Sequence, residues 1–189
     1  MKTFRPLFIF LIITIFSVIQ MGLILLTHPQ SAAASSTPTH SNPLVETITN
    51  LDVSITLNDK NVCTLPVYGA YQPGYNRIVL CTTTSEDLEH LSDSDRVVLR
   101  HESTHLLQDC LSGSRRDNQL APLTGTYEDL LVYIYGKLSP EDVNNISETY
   151  REVGADDRTI WLELEAFATQ NTISDDAMSY ELQRVCRNI

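Results

Sequence analysis

The cluster of residues best suited to chemistry in this sequence is the pentapeptide His-Glu-Ser-Thr-His at 101–105. On a helix, His101 and His105 lie on one face, one turn apart, so their imidazoles can share a metal ion. Zinc binds imidazole nitrogen at about 2.0–2.1 Å. Glu102 points about 100° further around the helix, where a carboxylate can take a proton from a metal-activated water. The pentapeptide therefore predicts a zinc site with Glu102 as general base.

A catalytic zinc site usually has three protein ligands, so a third donor is expected elsewhere in the chain. No histidine follows His105, and a third histidine ligand would have to be His28, His40 or His90. An acidic residue facing the core from a later helix is the other source. The apolar segment 161–168, Trp-Leu-Glu-Leu-Glu-Ala-Phe-Ala, offers two such glutamates.

The pentapeptide followed downstream by Glu-x-Glu-Ala resembles the gluzincin-type zinc metallopeptidases. In small members of that group, the glutamate directly before the alanine is the third metal ligand, so the resemblance implies Glu165. Glu163 lies about 200° from Glu165 around the helix and cannot face the same ion. The resemblance further implies a zincin-like domain that hydrolyses peptide or protein substrates. The Asn-Glu-x-x-Ser-Asp segment of the larger gluzincins is absent from the sequence.

Several further residues are candidates for supporting the metal ligands and the reaction. Asp109 stands one turn beyond His105, where it can accept the free ring N–H of a metal ligand or a hydrogen bond from a donor on a neighbouring helix. In zinc peptidases a tyrosine, histidine or arginine commonly stabilises the oxyanion, and the sequence offers several downstream tyrosines without choosing among them. These are Tyr127, Tyr133, Tyr135 and Tyr150. The resemblance also implies that strand 75–81 is the sheet edge beside the cleft, where an extended peptide can add.

The segments before the pentapeptide predict a small antiparallel sheet. Apolar and polar residues alternate over 53–57, which is typical of a half-buried strand, and a second short strand is predicted over 62–67. Pro73-Gly74 indicates a turn, and 77–81 is the clearest strand of the chain.

Helices are predicted from residue 85 onwards. Ser85 and Ser92 are candidate N-caps, the central helix is expected over Asp93–Ser112, and Gly113 suits its C′ position. Later helices are predicted at 127–135, from Ser139-Pro140, at 159–170 and at 174–187. We therefore expect an α+β, zincin-like domain over 45–189, with a central metal-binding helix and a mostly helical C-terminal part.

The N-terminus has the layout of a signal peptide. Lys2 and Arg5 precede an apolar run over 7–26, and Ala32 and Ala34 have the A-x-A spacing of a cleavage site. An uncleaved membrane anchor is the alternative for 1–34, since about 20 apolar residues span a bilayer. Either version predicts an extracytoplasmic protein, secreted, periplasmic or anchored. The Ser, Thr and Pro-rich stretch 35–44 is predicted to be a flexible tether.

Charge and cysteine content fit that location. Loss of Lys2 and Arg5 with the leader leaves 11 basic against 24 acidic side chains, a net charge of −13. A surface of this charge repels phosphate backbones, so nucleic acid is not an expected partner. The four cysteines favour disulfides in an oxidising compartment. Three pairings are possible, and we favour Cys63–Cys81 with Cys110–Cys186, because the first pair closes a local segment.

Two other functions remain open from the sequence. Beside the zinc peptidase, the second possibility is an extracytoplasmic zinc-binding pseudo-enzyme that presents a surface to a partner. The third possibility is a disulfide-stapled binding module in which His101 and His105 are incidental. Metal content separates this third possibility from the other two.

Overall fold

The computed structural model describes residues 42–64, 67–187 and 189. Within these residues the chain is α+β and mostly helical, as expected. Its elements in chain order are α1 (Pro43–Asn50), β1 (Ser54–Leu57), β2 (Gly69–Gln72), β3 (Arg77–Leu80), α2 (Asp93–Ser112), α3 (Tyr127–Ile134), α4 (Pro140–Glu152), α5 (Asp157–Gln170) and α6 (Asp175–Cys186).

The predicted leader, 1–34, and the predicted tether up to residue 41 lie outside the described residues. The last two tether residues, Pro43 and Leu44, belong to α1, which the sequence analysis did not predict. The Asn42 side chain caps this helix by accepting from the backbone N–H groups of Leu44 and Val45. No helix among the described residues is long and apolar enough to cross a membrane.

The sheet has three strands in the order β1-β3-β2, and it is mixed rather than antiparallel. β2 and β3 form an antiparallel pair around a turn in which Gly74 and Asn76 have positive φ. β1 pairs with β3 in parallel, because the chain passes from β1 to β2 on the far side of β3 and then turns back into β3. The strand predicted over 62–67 is wrong at residues 62–64, which form turns, and at residue 67, which is not in a strand; residues 65 and 66 lie outside the described residues. The strand that the sequence did not predict is β2.

Helix α2 begins and ends where the sequence predicted. The Ser92 hydroxyl accepts from the backbone N–H of Asp95 at 3.2 Å, and Gly113 closes the helix with φ 93°. The helix packs against β2 and β3 on one side and against α5 and α6 on the other. Its middle, from Leu99 to Cys110, is therefore buried almost all round, with Arg100 half-buried.

Both predicted disulfides are confirmed. Cys63–Cys81 ties the turn after β1 to the residue that follows β3, and Cys110–Cys186 ties the last turn of α2 to the end of α6. Two such bonds indicate an oxidising compartment, as the sequence suggested.

Candidate metal centre

Three donor atoms meet where α2 packs against α5. The Nε2 atoms of His101 and His105 are 3.2 Å apart. A Glu163 oxygen lies 3.3 Å from the first nitrogen, and its other oxygen lies 3.5 Å from the second. Tetrahedral zinc with bonds of about 2.0 Å separates neighbouring donors by about 3.3 Å. These three fully buried side chains thus have the spacing of metal ligands.

The hydrogen bonding of Glu163 fits a bound cation. Its Oε2 accepts from the Tyr150 hydroxyl at 2.7 Å, whereas its Oε1 has no hydrogen-bond partner although it is buried. A buried carboxylate oxygen without a partner is costly, and a cation beside it removes that cost. The group could therefore hold a metal ion, and zinc, copper, iron and nickel all accept two imidazoles and a carboxylate.

The electrostatic interactions among the buried side chains also favour a cation at the centre. Burial opposes the charged forms of both Glu163 and His105, but their mutual attraction outweighs it. The pKa of Glu163 is consequently lowered by the imidazoles of His105 and His101, and the pKa of His105 is raised by Glu163 and Glu102. The two carboxylates therefore favour a positive charge at the centre, whether a proton on an imidazole or a metal ion.

The expected ligand Glu165 is not at this centre, and Glu163 is the glutamate that lies with the two histidines. Glu165 is also fully buried, but its carboxylate points to the loop before α3. There it accepts from the backbone N–H groups of Leu123 and Thr124 at 2.8 and 2.9 Å. The two glutamates face different sides of α5, as their spacing requires.

The ring nitrogens that face away from the centre contact glutamines. His105 Nδ1 lies 2.8 Å from Gln108 Oε1, and His101 Nδ1 lies 3.0 Å from Gln170 Oε1. The sequence did not point to either amide, and Asp109 was the residue expected in this role. Asp109 instead accepts from the Tyr71 hydroxyl, because it projects toward the sheet rather than toward α5. Burial raises the pKa of Asp109 to about 6, against the lowering effect of that hydroxyl.

The predicted general base, Glu102, is fully buried beside the three donors and faces β2. Its Oε2 accepts from the backbone N–H of Tyr71 at 2.7 Å. Gly69 permits this approach, because a Cβ there would lie 2.6 Å from Val98 Cγ1 and 2.9 Å from Glu102 Oε1. Burial raises the pKa of Glu102, and the two imidazoles offset part of that rise.

The edge strand that packs on the motif helix is β2, not the predicted strand. The segment 75–81 contains β3, which is the central strand and pairs on both sides. The expectation that it forms the edge beside the site is therefore wrong. The sequence predicted β3 but not the short strand 69–72, which lies between the turns at 60–64 and 73–76.

Among the tyrosines, only Tyr150 reaches the described centre. The Tyr133 hydroxyl contacts Thr169, and Tyr127 and Tyr135 are exposed. Of the other histidines, His90 is exposed and pairs with Asp87, while His28 and His40 lie outside the described residues.

The metal centre is enclosed by protein. A groove of about 670 Å³ does open on the surface, between α3, α4 and α5. Its walls include Leu130, Ile134, Trp161 and Leu164, and none of the residues of the metal centre. The groove and the centre thus use different faces of α5.

Comparison of the chain with protein-family models, with curated proteins and with solved structures finds no match.

Proposed function

We propose that this chain is an extracytoplasmic zinc-dependent peptidase. Its metal is held by His101, His105 and Glu163, and its general base is Glu102. The observation that carries the proposal is the number of protein donors at the centre: three, with a carboxylate that is not a ligand next to them. Structural zinc sites are usually closed by four protein ligands, whereas catalytic sites leave one position for water or substrate.

Zinc is the metal we propose because two imidazoles and one carboxylate are a common donor set of zinc hydrolases. Bound there, zinc supplies a water of lowered pKa and polarises a carbonyl oxygen. The chain itself must supply the proton transfers. Glu102 is suited to them, since its carboxyl group lies beside the three donors and burial raises its pKa.

Tyr150 is the best candidate for stabilising negative charge on the substrate. It is buried on α4, and its hydroxyl already lies within the centre, bonded to Glu163. A tyrosine so placed can donate to an oxyanion once a substrate carbonyl enters. Peptides are the proposed substrates because of the resemblance of the pentapeptide and the Glu-x-Glu-Ala segment to gluzincins, and the packing of β2 along α2 is compatible with a zincin-like arrangement.

The test is the substitution Glu102→Gln in the purified full chain. Zinc content should remain near that of the wild type, because Glu102 is not a ligand. Cleavage of a peptide library should fall by about 100-fold or more, the usual contribution of a general base. Glu86→Gln, an exposed glutamate before α2, is the matched control and should change neither quantity. Unchanged cleavage by Glu102→Gln would contradict the proposal.

A second function is favoured by the enclosure of the centre. His101, Glu102, His105 and Glu163 are all fully buried, so a substrate needs an opening that this conformation lacks. A buried site of this kind also suits a zinc-binding pseudo-enzyme whose metal stabilises the fold. Zinc retained by the wild type, with no turnover of any peptide and a fall in melting temperature on chelation, would favour this function over hydrolysis.

A further inference from the structure

We propose that Glu165 is a positioning residue for the metal centre: through Gln108 it keeps the Nε2 atom of His105 free of hydrogen and ready to bind the metal. The inference rests on the proposed zinc site, but it concerns binding and not hydrolysis. It assigns a role to the glutamate that the sequence pattern singled out and that the ligand set leaves unused.

The first step is the orientation of the Gln108 side chain. Its Nε2 lies 3.0 Å from the backbone carbonyl oxygen of Leu162 and 3.0 Å from Glu165 Oε2. Both partners can only accept hydrogen bonds, so the NH₂ of Gln108 must face them. The carbonyl oxygen of the amide is thereby turned toward His105.

The second step is the tautomer of His105. Its Nδ1 lies 2.8 Å from Gln108 Oε1, which can only accept, so Nδ1 must carry a hydrogen. In a neutral imidazole the other nitrogen then has its lone pair available. That nitrogen is Nε2, the atom that faces Glu163 and His101.

The third step is the rigidity of Glu165. Its Oε1 accepts from the Thr124 backbone N–H at 2.9 Å, the Thr124 hydroxyl at 2.5 Å and Trp161 Nε1 at 2.9 Å. Its Oε2 accepts from Leu123 N–H as well as from Gln108. Five donors therefore surround two oxygens in a buried setting. Only a carboxylate, which accepts at both oxygens, satisfies them all.

An amide at position 165 breaks this arrangement. A glutamine must turn its NH₂ either toward Thr124 and Trp161 or toward Gln108, and each of those groups is a donor. In the second orientation Gln108 turns over and presents its own NH₂ to His105. The hydrogen of His105 then moves to Nε2, where it blocks the metal.

The experiment compares zinc dissociation constants of the full chain, measured by competition with a chelator. The variants are Glu165→Gln, Gln108→Met and their combination. We expect each single substitution to weaken zinc binding by about 10- to 100-fold, the usual effect of losing a group that orients a ligand. Because Glu165 acts through Gln108, adding Glu165→Gln to Gln108→Met should weaken binding no further. Trp161→Phe, which removes a donor to the far oxygen of Glu165, is the control and should keep wild-type affinity.

The second readout is the tautomer of His105 in the metal-free chain, from the ¹⁵N chemical shifts of its ring at about pH 10. The imidazole is neutral at this pH, because burial lowers the pKa of His105 but Glu163 and Glu102 together raise it to about 9. The wild type should carry hydrogen on Nδ1, and Glu165→Gln should shift the population toward Nε2–H while His101, which contacts Gln170, stays unchanged. Wild-type affinity in Glu165→Gln, or a further loss in the double variant, would overturn the inference. Neither readout uses a substrate, so a chain that binds zinc but cleaves no peptide contradicts the proposed function alone.

Discussion

At the residue scale, spacing predicted the α2 part of the centre but not the α5 part. His101, Glu102 and His105 lie on one short helical segment, so helix geometry alone determines their relation. Glu163 and Glu165 both lie on a helix that is buried all round, and apolar periodicity could not show which side faces α2. One signal was present: Trp161 stands four residues before Glu165, on the same face, and donates to it.

Because Glu163 and not Glu165 lies beside the two histidines, substitution of Glu163 is the one expected to affect metal binding more. Glu163→Gln removes the negative charge beside both imidazoles and places an NH₂ among groups that need an acceptor. We expect it to weaken zinc binding by more than the roughly 10- to 100-fold loss typical of orienting residues. Glu165→Gln should fall within that smaller range.

At the element scale, the helices from α2 onwards were predictable because they carry local start signals, whereas α1 was missed. Ser92, Ser139 and Ser174 cap α2, α4 and α6 through side-chain acceptors, and these signals are local. The sheet was harder to predict, because its strands pair with segments that are distant in the sequence. The β2 sequence Gly-Ala-Tyr-Gln lacks β-branched residues, and the parallel pairing of β1 with β3 leaves no local trace.

The close contact between β2 and α2 makes a prediction about Gly69. Gly69→Ala introduces a methyl group that overlaps Val98 and Glu102, so strand and helix must separate or Glu102 must move. We expect a loss of about 1–3 kcal/mol in the free energy of unfolding, as for overpacked cores, together with lower peptide cleavage. Chemical denaturation and peptide assays measure the two effects.

The control for this substitution is Gly125→Ala. A Cβ at Gly125 meets only Asp129 Oδ2, at 3.7 Å, which is an ordinary contact. Its stability should stay within about 0.5 kcal/mol of the wild type. Equal stability and cleavage in Gly69→Ala and the wild type would show that β2 does not constrain Glu102.

At the scale of the whole molecule, Asp175 joins three helices. Its side chain, 4% exposed, accepts from Asn42 at the start of α1 and from Arg96 and Arg100 on α2. Together with Cys110–Cys186 it holds α6 against α2. The disulfide pairing was predictable, but this junction was not, because its members are between 75 and 133 residues away from Asp175.

Asp175→Asn should destabilise the fold by about 2–3 kcal/mol, since it removes hydrogen bonds to charged groups. Burial opposes ionisation, but Arg100, Arg96 and Asn42 outweigh it and lower the pKa of Asp175 below its ordinary value. The stabilisation is therefore complete above the unfolded pKa, near 4, and is lost as pH falls through the lower folded value.

Unfolding free energies from pH 7 to pH 2 measure this effect. The difference between the wild type and Asp175→Asn should shrink toward the acid end, while the exposed neighbour Asp176→Asn should match the wild type throughout. A difference that is independent of pH would contradict the ion-pair account.

The most direct measurement of the central claim is the calorimetric titration of the metal-free full chain with zinc, for the wild type and for Glu163→Gln. The account predicts one zinc per wild-type chain and at least a 100-fold weaker association in Glu163→Gln, more than the loss from any orienting residue. A wild-type chain that binds no zinc, or a Glu163→Gln chain that binds it with wild-type affinity, would contradict the account.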